Sequence, residues 1–143
     1  MLTDKLSLTG ALTISKNGEV VQKIKNLVVA TGKELVAANL QGDVVAPVTH
    51  MAVGTGTVAA AAGDIALGSE LGRTALTTSG GTVAGAVVTY ECTWAPGDGT
   101  GAITEAGLLT ASSGGIMLAR TVFPVVNKGV DDTITIVWDV TIS

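Results

Sequence analysis

Residues Thr82 to Ala95 read TVAGAVVTYECTWA, with Ala84, Ala86, Val88, Tyr90, Cys92 and Trp94 at every second position and Thr89, Glu91 and Thr93 between them. Successive side chains of extended backbone point to opposite faces, so this alternation predicts one long strand with a single buried face. Ser79-Gly80-Gly81 precedes it and Pro96-Gly97-Asp98-Gly99-Thr100-Gly101 follows, turn signals that let neighbouring strands return antiparallel. Thr133 to Ser143 repeats the pattern with Ile134, Ile136, Trp138, Val140 and Ile142 on one side. Neither apolar face can be hidden without a second layer, which constrains the chain to a sandwich or a barrel.

The remaining segments fit such a fold. Leu6, Leu8, Leu12 and Ile14 alternate with Ser7, Thr9, Thr13 and Ser15; Asn17-Gly18 supplies the positive-φ pair of a tight turn, and Glu19 to Val29 returns. This predicts an N-terminal hairpin over residues 1–29. Thr31 and Glu34 have the capping-box spacing, Ala30 and Leu35 take the staple positions, and Gly42 follows the last periodic residue, which predicts a short helix over residues 32–41. Leu35, Val36, Asn39 and Leu40 would form its docking stripe. Val48 to Val53 reads as a strand ending at Gly54-Thr55-Gly56, and Asp64 to Arg73 as a helical turn or ordered loop. Arg73 to Thr78 is expected to form a hairpin with the long strand, and Ala102 to Thr110 another with Ile116 to Val126. Pro124 removes a ladder donor, which puts its strand at an edge or ends it there. The expected fold is all-β: a single domain over residues 1–143, an antiparallel, jelly-roll-like β-sandwich of about eight strands with one short peripheral helix.

Charge is scarce. Only 14% of the residues are charged, and the mean hydropathy is +0.54. A free monomer so composed exposes wide Ala, Val, Thr and Gly surface, so part of it is expected to be covered by another subunit, in a homo-oligomer such as a dimer. The net charge of −4 is unevenly distributed. Residues 1 to 33 carry Lys5, Lys16, Lys23, Lys25 and Lys33 against Asp4 and Glu19, whereas the body is acidic. Lys16, Lys23 and Lys25 are candidate docking residues, and the hairpin that carries them is expected to be separable from the sandwich. An acidic chain whose four aromatics do not interleave with basic residues is a poor nucleic-acid binder. The longest uncharged stretch, Val44 to Gly63, contains Pro47, His50 and two Gly-Thr pairs and makes a poor membrane helix. The single cysteine, Cys92, excludes an internal disulfide and shares the phase of the core.

Catalytic signatures are sparse. His50 is the sole histidine, with no adjacent carboxylate and nucleophile, and Asp131-Asp132 reads as a solvated turn, so neither a catalytic residue, a metal nor another cofactor is expected. Gly54-x-Gly56 and Gly97-x-Gly99-x-Gly101 lack the helix that a phosphate-binding fingerprint requires and read as turns. Glu105 departs from this plain pattern. With Ile103, Gly107 and Leu109 as its same-face neighbours, it puts a carboxylate where an apolar residue belongs. Arg120, in phase with Ile116, Leu118 and Val122, is its expected partner across the hairpin, with Arg73 the other candidate. The competing expectation is that Glu105 and Arg120 both reach solvent at strand ends.

The run Asn26-Leu27-Val28-Val29, then Thr49-His50-Met51-Ala52-Val53-Gly54-Thr55-Gly56, then Ala66-Leu67-Gly68-Ser69-Glu70-Leu71-Gly72-Arg73, resembles a family of tailed-bacteriophage virion proteins. Ile103-Thr104-Glu105-Ala106-Gly107-Leu108 and Met117-Leu118-Ala119-Arg120-Thr121-Val122-Phe123-Pro124 are similar to later runs of that family. More distantly, Leu67, Glu70 and Arg73 resemble the Leu-x-x-Glu-x-x-Arg run in the attachment domains of tail-collar fibres. Heptads, repeats and a receptor-binding tip are missing downstream, so a fibre is not expected. The resemblance implies a non-enzymatic structural protein of the virion, assembled in the bacterial host cytoplasm: a head cementing or decoration protein bound to the major capsid protein. A tail, neck or baseplate adaptor is the alternative that it implies.

Overall fold

The computed structural model describes residues 6–143. The first residues of the expected hairpin, with Asp4 and Lys5, lie outside the described residues. Asn17 and Gly18 turn the chain as their sequence requires, with φ of 51° and 85°, between β1 (Leu8–Lys16) and β2 (Glu19–Val28). The chain then runs directly into α1 (Ala30–Gln41). Val29, still extended and tied by its N–H to the Leu118 carbonyl, is the N-cap residue and leaves no room for the expected capping turn. Thr31 lies inside the helix and donates its hydroxyl to the Met117 carbonyl at 2.7 Å. The other end follows expectation. Gly42 has φ 91°, and the N–H groups of Gly42 and Asp43 close on the Asn39 and Ala38 carbonyls. Of the expected docking stripe, Leu35 is buried while Leu40 is 79% exposed.

The other strands are β3 (His50–Gly54), β4 (Glu70–Ala75), β5 (Thr82–Ala84), β6 (Val87–Trp94), β7 (Gly101–Leu109), β8 (Met117–Lys128) and β9 (Ile134–Ile142). All pair antiparallel in one sheet of order β4-β3-β7-β8-β2-β1-β9-β6-β5. The sheet folds over at β2, which pairs with β1 along most of its length but with β8 only at Leu27 and Val28. At the far side, the Thr77 N–H donates to the Glu91 carbonyl at 2.9 Å, bringing the segment after β4 against β6. The two halves thus face each other as a sandwich around Trp94, Trp138, Leu108, Ile136 and Ile14.

Four expectations are corrected. The long strand from Thr82 is two strands, because Gly85 adopts φ 59° and turns the chain, pairing Ala84 with Val87. Small residues on both sides keep the alternation in phase across the turn and conceal it. Arg73 to Thr78 does not form a hairpin with that segment; β4 pairs with β3. Pro124 does not end its strand, which continues to Lys128, although β8 pairs with β2 only at Ala119 and Arg120 and so has no ladder on that side at Pro124. Between Ile103↔Val126 and Glu105↔Val122 the register slips, so Pro124 sits in a β-bulge where no ladder donor is required. Finally, the N-terminal hairpin is not separable: β1 is flanked by β2 and β9, and its Leu12 and Ile14 are 1% exposed in the core.

The two outer faces differ. The β3-β7-β8 face carries a second apolar cluster of Ala52, Leu109 and Met117, covered by Val29 and Leu67. The β2-β1-β9-β6 face leaves Thr9, Ala11, Lys23, Lys25 and Glu91 exposed.

Candidate functional site

The covered face holds the charged cluster. Register slips at both ends of the β7-β8 pairing turn Ile103 into the core and leave Glu105 and Gly107 on the outer side. Gly107 pairs with Arg120, making Glu105 and Arg120 diagonal neighbours. Arg120 Nη2 lies 2.9 Å and Nε 3.1 Å from Glu105 Oε2. Glu105 is 0% and Arg120 2% exposed, so the pair is buried and the expectation that both reach solvent is overturned. The loop of residues 55–69 closes over them. Its backbone N–H groups at Gly56 and Ser69 donate to Glu105 Oε1 at 2.9 and 2.7 Å, and that of Gly68 donates to Oε2 at 2.9 Å. Arg120 is held by the same loop, through Nη1 to Asp64 Oδ2 at 2.8 Å and Nη2 to the Val58 carbonyl at 2.9 Å.

The glycines of this loop follow from the carboxylate. A Cβ on Gly56 would sit 2.5 Å from Glu105 Oε1, and one on Gly54 would sit 2.3 Å from the Ser69 carbonyl oxygen. Gly54-x-Gly56 is therefore a cradle, but for an anion supplied by the chain itself. Burial pushes the Glu105 carboxyl up, yet the donors of Ser69, Gly68, Arg120 and Gly56 outweigh it and hold the group below the ordinary carboxylate range. Asp64 is lowered in the same way: burial opposes ionisation, while the Ala61 N–H and Arg120 prevail. For Arg120, burial works against the cation, but Glu105 and Asp64 raise its value.

Arg73 is not a partner of Glu105. Its guanidinium takes Glu70 as a fork, Nη2 to Oε1 at 2.6 Å and Nε to Oε2 at 3.2 Å, and Nη1 donates to the carbonyls of Ala111 and Gly114 at 2.9 and 2.8 Å. It pins the β7-β8 turn to β4. Lys16 approaches Asp132 at 3.5 Å, where the Asn17 amide and the Gly129 N–H, with Lys16, hold the carboxyl low. Lys23 and Lys25 are exposed on the outer face of β2. The structure thus joins Glu105 to Arg120 and leaves Arg73 and the three lysines elsewhere. His50 is half-buried with the Thr49 hydroxyl 2.8 Å from Nδ1. Cys92 is buried, and burial pushes its thiol up to about 12, which makes it a poor nucleophile.

Sequence reasoning missed Asp64, the loop donors, and the pairing of Glu70 with Arg73. Only Gly54, Gly56 and Gly68 signalled them, as positions where backbone approaches something closely. Chemically the cluster is closed. Both Glu105 oxygens and all three Arg120 nitrogens already have partners within the chain, which suits a clamp that fixes the 55–69 loop.

No protein family, curated protein or solved structure matches the chain. Among the described residues, no group of three or more His, Cys, Asp or Glu side chains is placed to hold a metal ion, and no helix is long and apolar enough to cross a membrane.

Proposed function

We propose that the protein is a non-enzymatic structural component of a tailed-bacteriophage virion, assembled in the bacterial host cytoplasm, and that it acts as a cementing or decoration protein on the major capsid protein shell. The observation that carries this reading is the clamp. Glu105, Arg120 and Asp64 are committed to holding one surface loop, and that loop turns apolar side chains outward, Val58 being 77% and Ile65 68% exposed. A rigid apolar ridge on a sparsely charged body suits a contact repeated by symmetry, where many modest interfaces add by avidity. The resemblance of the Thr49 to Gly56 and Ala66 to Arg73 runs to virion proteins points the same way.

A neck, tail or baseplate adaptor is the second reading, favoured by one observation. In the Leu67-x-x-Glu70-x-x-Arg73 run that resembles fibre attachment domains, Glu70 and Arg73 form a two-bonded pair. Copy number separates the two. Quantitative mass spectrometry of purified virions is expected to find the protein in amounts comparable to the major capsid protein. A handful of copies per particle would move it to the neck, tail or baseplate, and absence from the particle would overturn both readings.

A further inference from the structure

We propose that the exposed outer face of β2-β1-β9-β6 is a homodimer interface, in which two copies pack these sheets face to face about a two-fold axis parallel to the strands and lying between β1 and β9. The inference rests on the expectation that a chain so poor in charge covers part of its surface with a second copy, and it names the surface involved.

The argument starts from register. Thr13 pairs with Lys23 on one side and Val137 on the other, and Val137 pairs with Glu91, so one row across the face reads Lys23, Thr13, Val137, Glu91. The adjacent row on the same face reads Lys25, Ala11, Asp139, Thr89. Each row is basic at the β2 margin, acidic towards β9 and β6, and small or β-branched between. Lys23, Lys25 and Glu91 are exposed, and Asp139 is half-buried with Oδ1 2.6 Å from the Thr89 hydroxyl.

Such a face is complementary to itself in one orientation. Rotation about an axis along the strands reverses the strand order of the second copy while preserving the rows. β2 then lies over β6 and β1 over β9, which sets Lys23 against the second copy's Glu91, Thr13 against Val137, and Lys25 within reach of Asp139. Rotation about an axis across the strands would instead stack lysine on lysine, which like-charge repulsion disfavours. Contacts that are the same on both copies are what a closed two-fold interface demands. Four strands about 4.8 Å apart and eight residues of about 3.4 Å rise give a footprint of roughly 500 Å² per copy. The total of about 1,000 Å² reaches the lower bound for a specific interface, so the dimer is expected to be concentration-dependent.

The test is sedimentation of the whole chain. Wild type is expected to dimerise reversibly in the micromolar range. Lys23→Glu and Glu91→Lys each set like charges together twice, and each is expected to weaken dimerisation at least about tenfold while leaving the melting temperature unchanged in dilute samples where wild type is monomeric, since both side chains are exposed in the monomer. An equimolar mixture of the two variants restores both pairings and is expected to dimerise as wild type does. A wild-type dimer indifferent to both reversals would overturn this face while leaving self-association standing. Weakening by each reversal without rescue on mixing would overturn the Lys23 to Glu91 pairing. A wild type that is monomeric at about 100 µM, a concentration at which even weak dimers populate, would overturn self-association together with the face. The virion copy number is unaffected by any of these outcomes.

Discussion

Glu105 and Arg120 project from adjacent strands onto the same face, with Oε2 2.9 Å from Nη2 and almost no surface of either side chain in contact with solvent. Neither charge is there for its own pair alone. The carboxylate also gathers the N–H groups of Gly56, Gly68 and Ser69, and the guanidinium gathers Asp64 and the Val58 carbonyl. Two charges on the sheet thereby organise a loop with no strand or helix of its own.

Removing one partner strands the other in a dry site. Glu105→Ala leaves a buried cation without its main counter-charge and three backbone donors unpaired, and is expected to cost about 3–5 kcal/mol. Glu105→Gln keeps the shape and one carbonyl acceptor and should cost less. Urea denaturation of the three proteins checks the order; equal stability of wild type and Glu105→Ala would refute the clamp.

Acid should loosen the same clamp. The carboxyls of Glu105 and Asp64 lie below their ordinary values when folded, despite burial that opposes ionisation. Between those lowered values and the unfolded values of about 4, the unfolded chain binds more protons, so stability falls as pH falls through this window. The contribution is complete above the unfolded values and gone below the folded ones. Denaturation midpoints measured from about pH 6 down to about pH 3 should therefore drop more steeply for wild type than for Glu105→Gln, which lacks one of the titrating groups.

Glycine substitutions should separate the cradle from its surroundings. A methyl at Gly56 would press on Glu105 Oε1, whereas nothing lies within 4 Å of the corresponding position at Gly63 in the same loop. Gly56→Ala is expected to destabilise by roughly 1–3 kcal/mol, the usual range for overpacking. Gly63→Ala should be neutral or slightly stabilising through the unfolded chain. Thermal melts of the two variants decide the matter, and equal melting temperatures would argue against a close-fitting cradle.

Deleting residues 1 to 25 should unfold the protein rather than trim it. The deletion removes β1 from between β2 and β9 and takes Leu12 and Ile14 out of the core. Loss of the cooperative melting transition in the truncated form is the expected result, and a cooperatively folded remainder would refute it.

Much of this architecture is legible in the residues. Alternation located the strands that carry Tyr90 to Trp94 and Ile134 to Ile142, Asn17-Gly18 gave the first turn, and the phase of Glu105 and Arg120 on a hairpin gave their pairing. What escaped was non-periodic. Gly85 bends the chain between alanines that keep the alternation intact, and Asp64 enters the cluster from a loop whose geometry is fixed by backbone donors, which no side-chain pattern records. Nor does any pattern in the residues separate Arg73, the other candidate, from Arg120 as the partner of Glu105; only the fold shows that Glu70 and two carbonyls occupy the Arg73 guanidinium.

The pairing of β1 with β9 also bears on how the molecule comes into being. Leu12 is matched to Trp138, so β1 waits for a strand made 126 residues later. At ribosomal rates of about 5–20 residues per second, that delay is on the order of ten seconds. During it the early hairpin has one edge open, and the unmet edge of β1 is a template for any extended chain nearby. Contacts so distant in sequence also make closure slow. Yield in the cell should therefore depend on chaperone cover of a nascent chain whose sheet cannot close until Ile134 to Ile142 has left the ribosome.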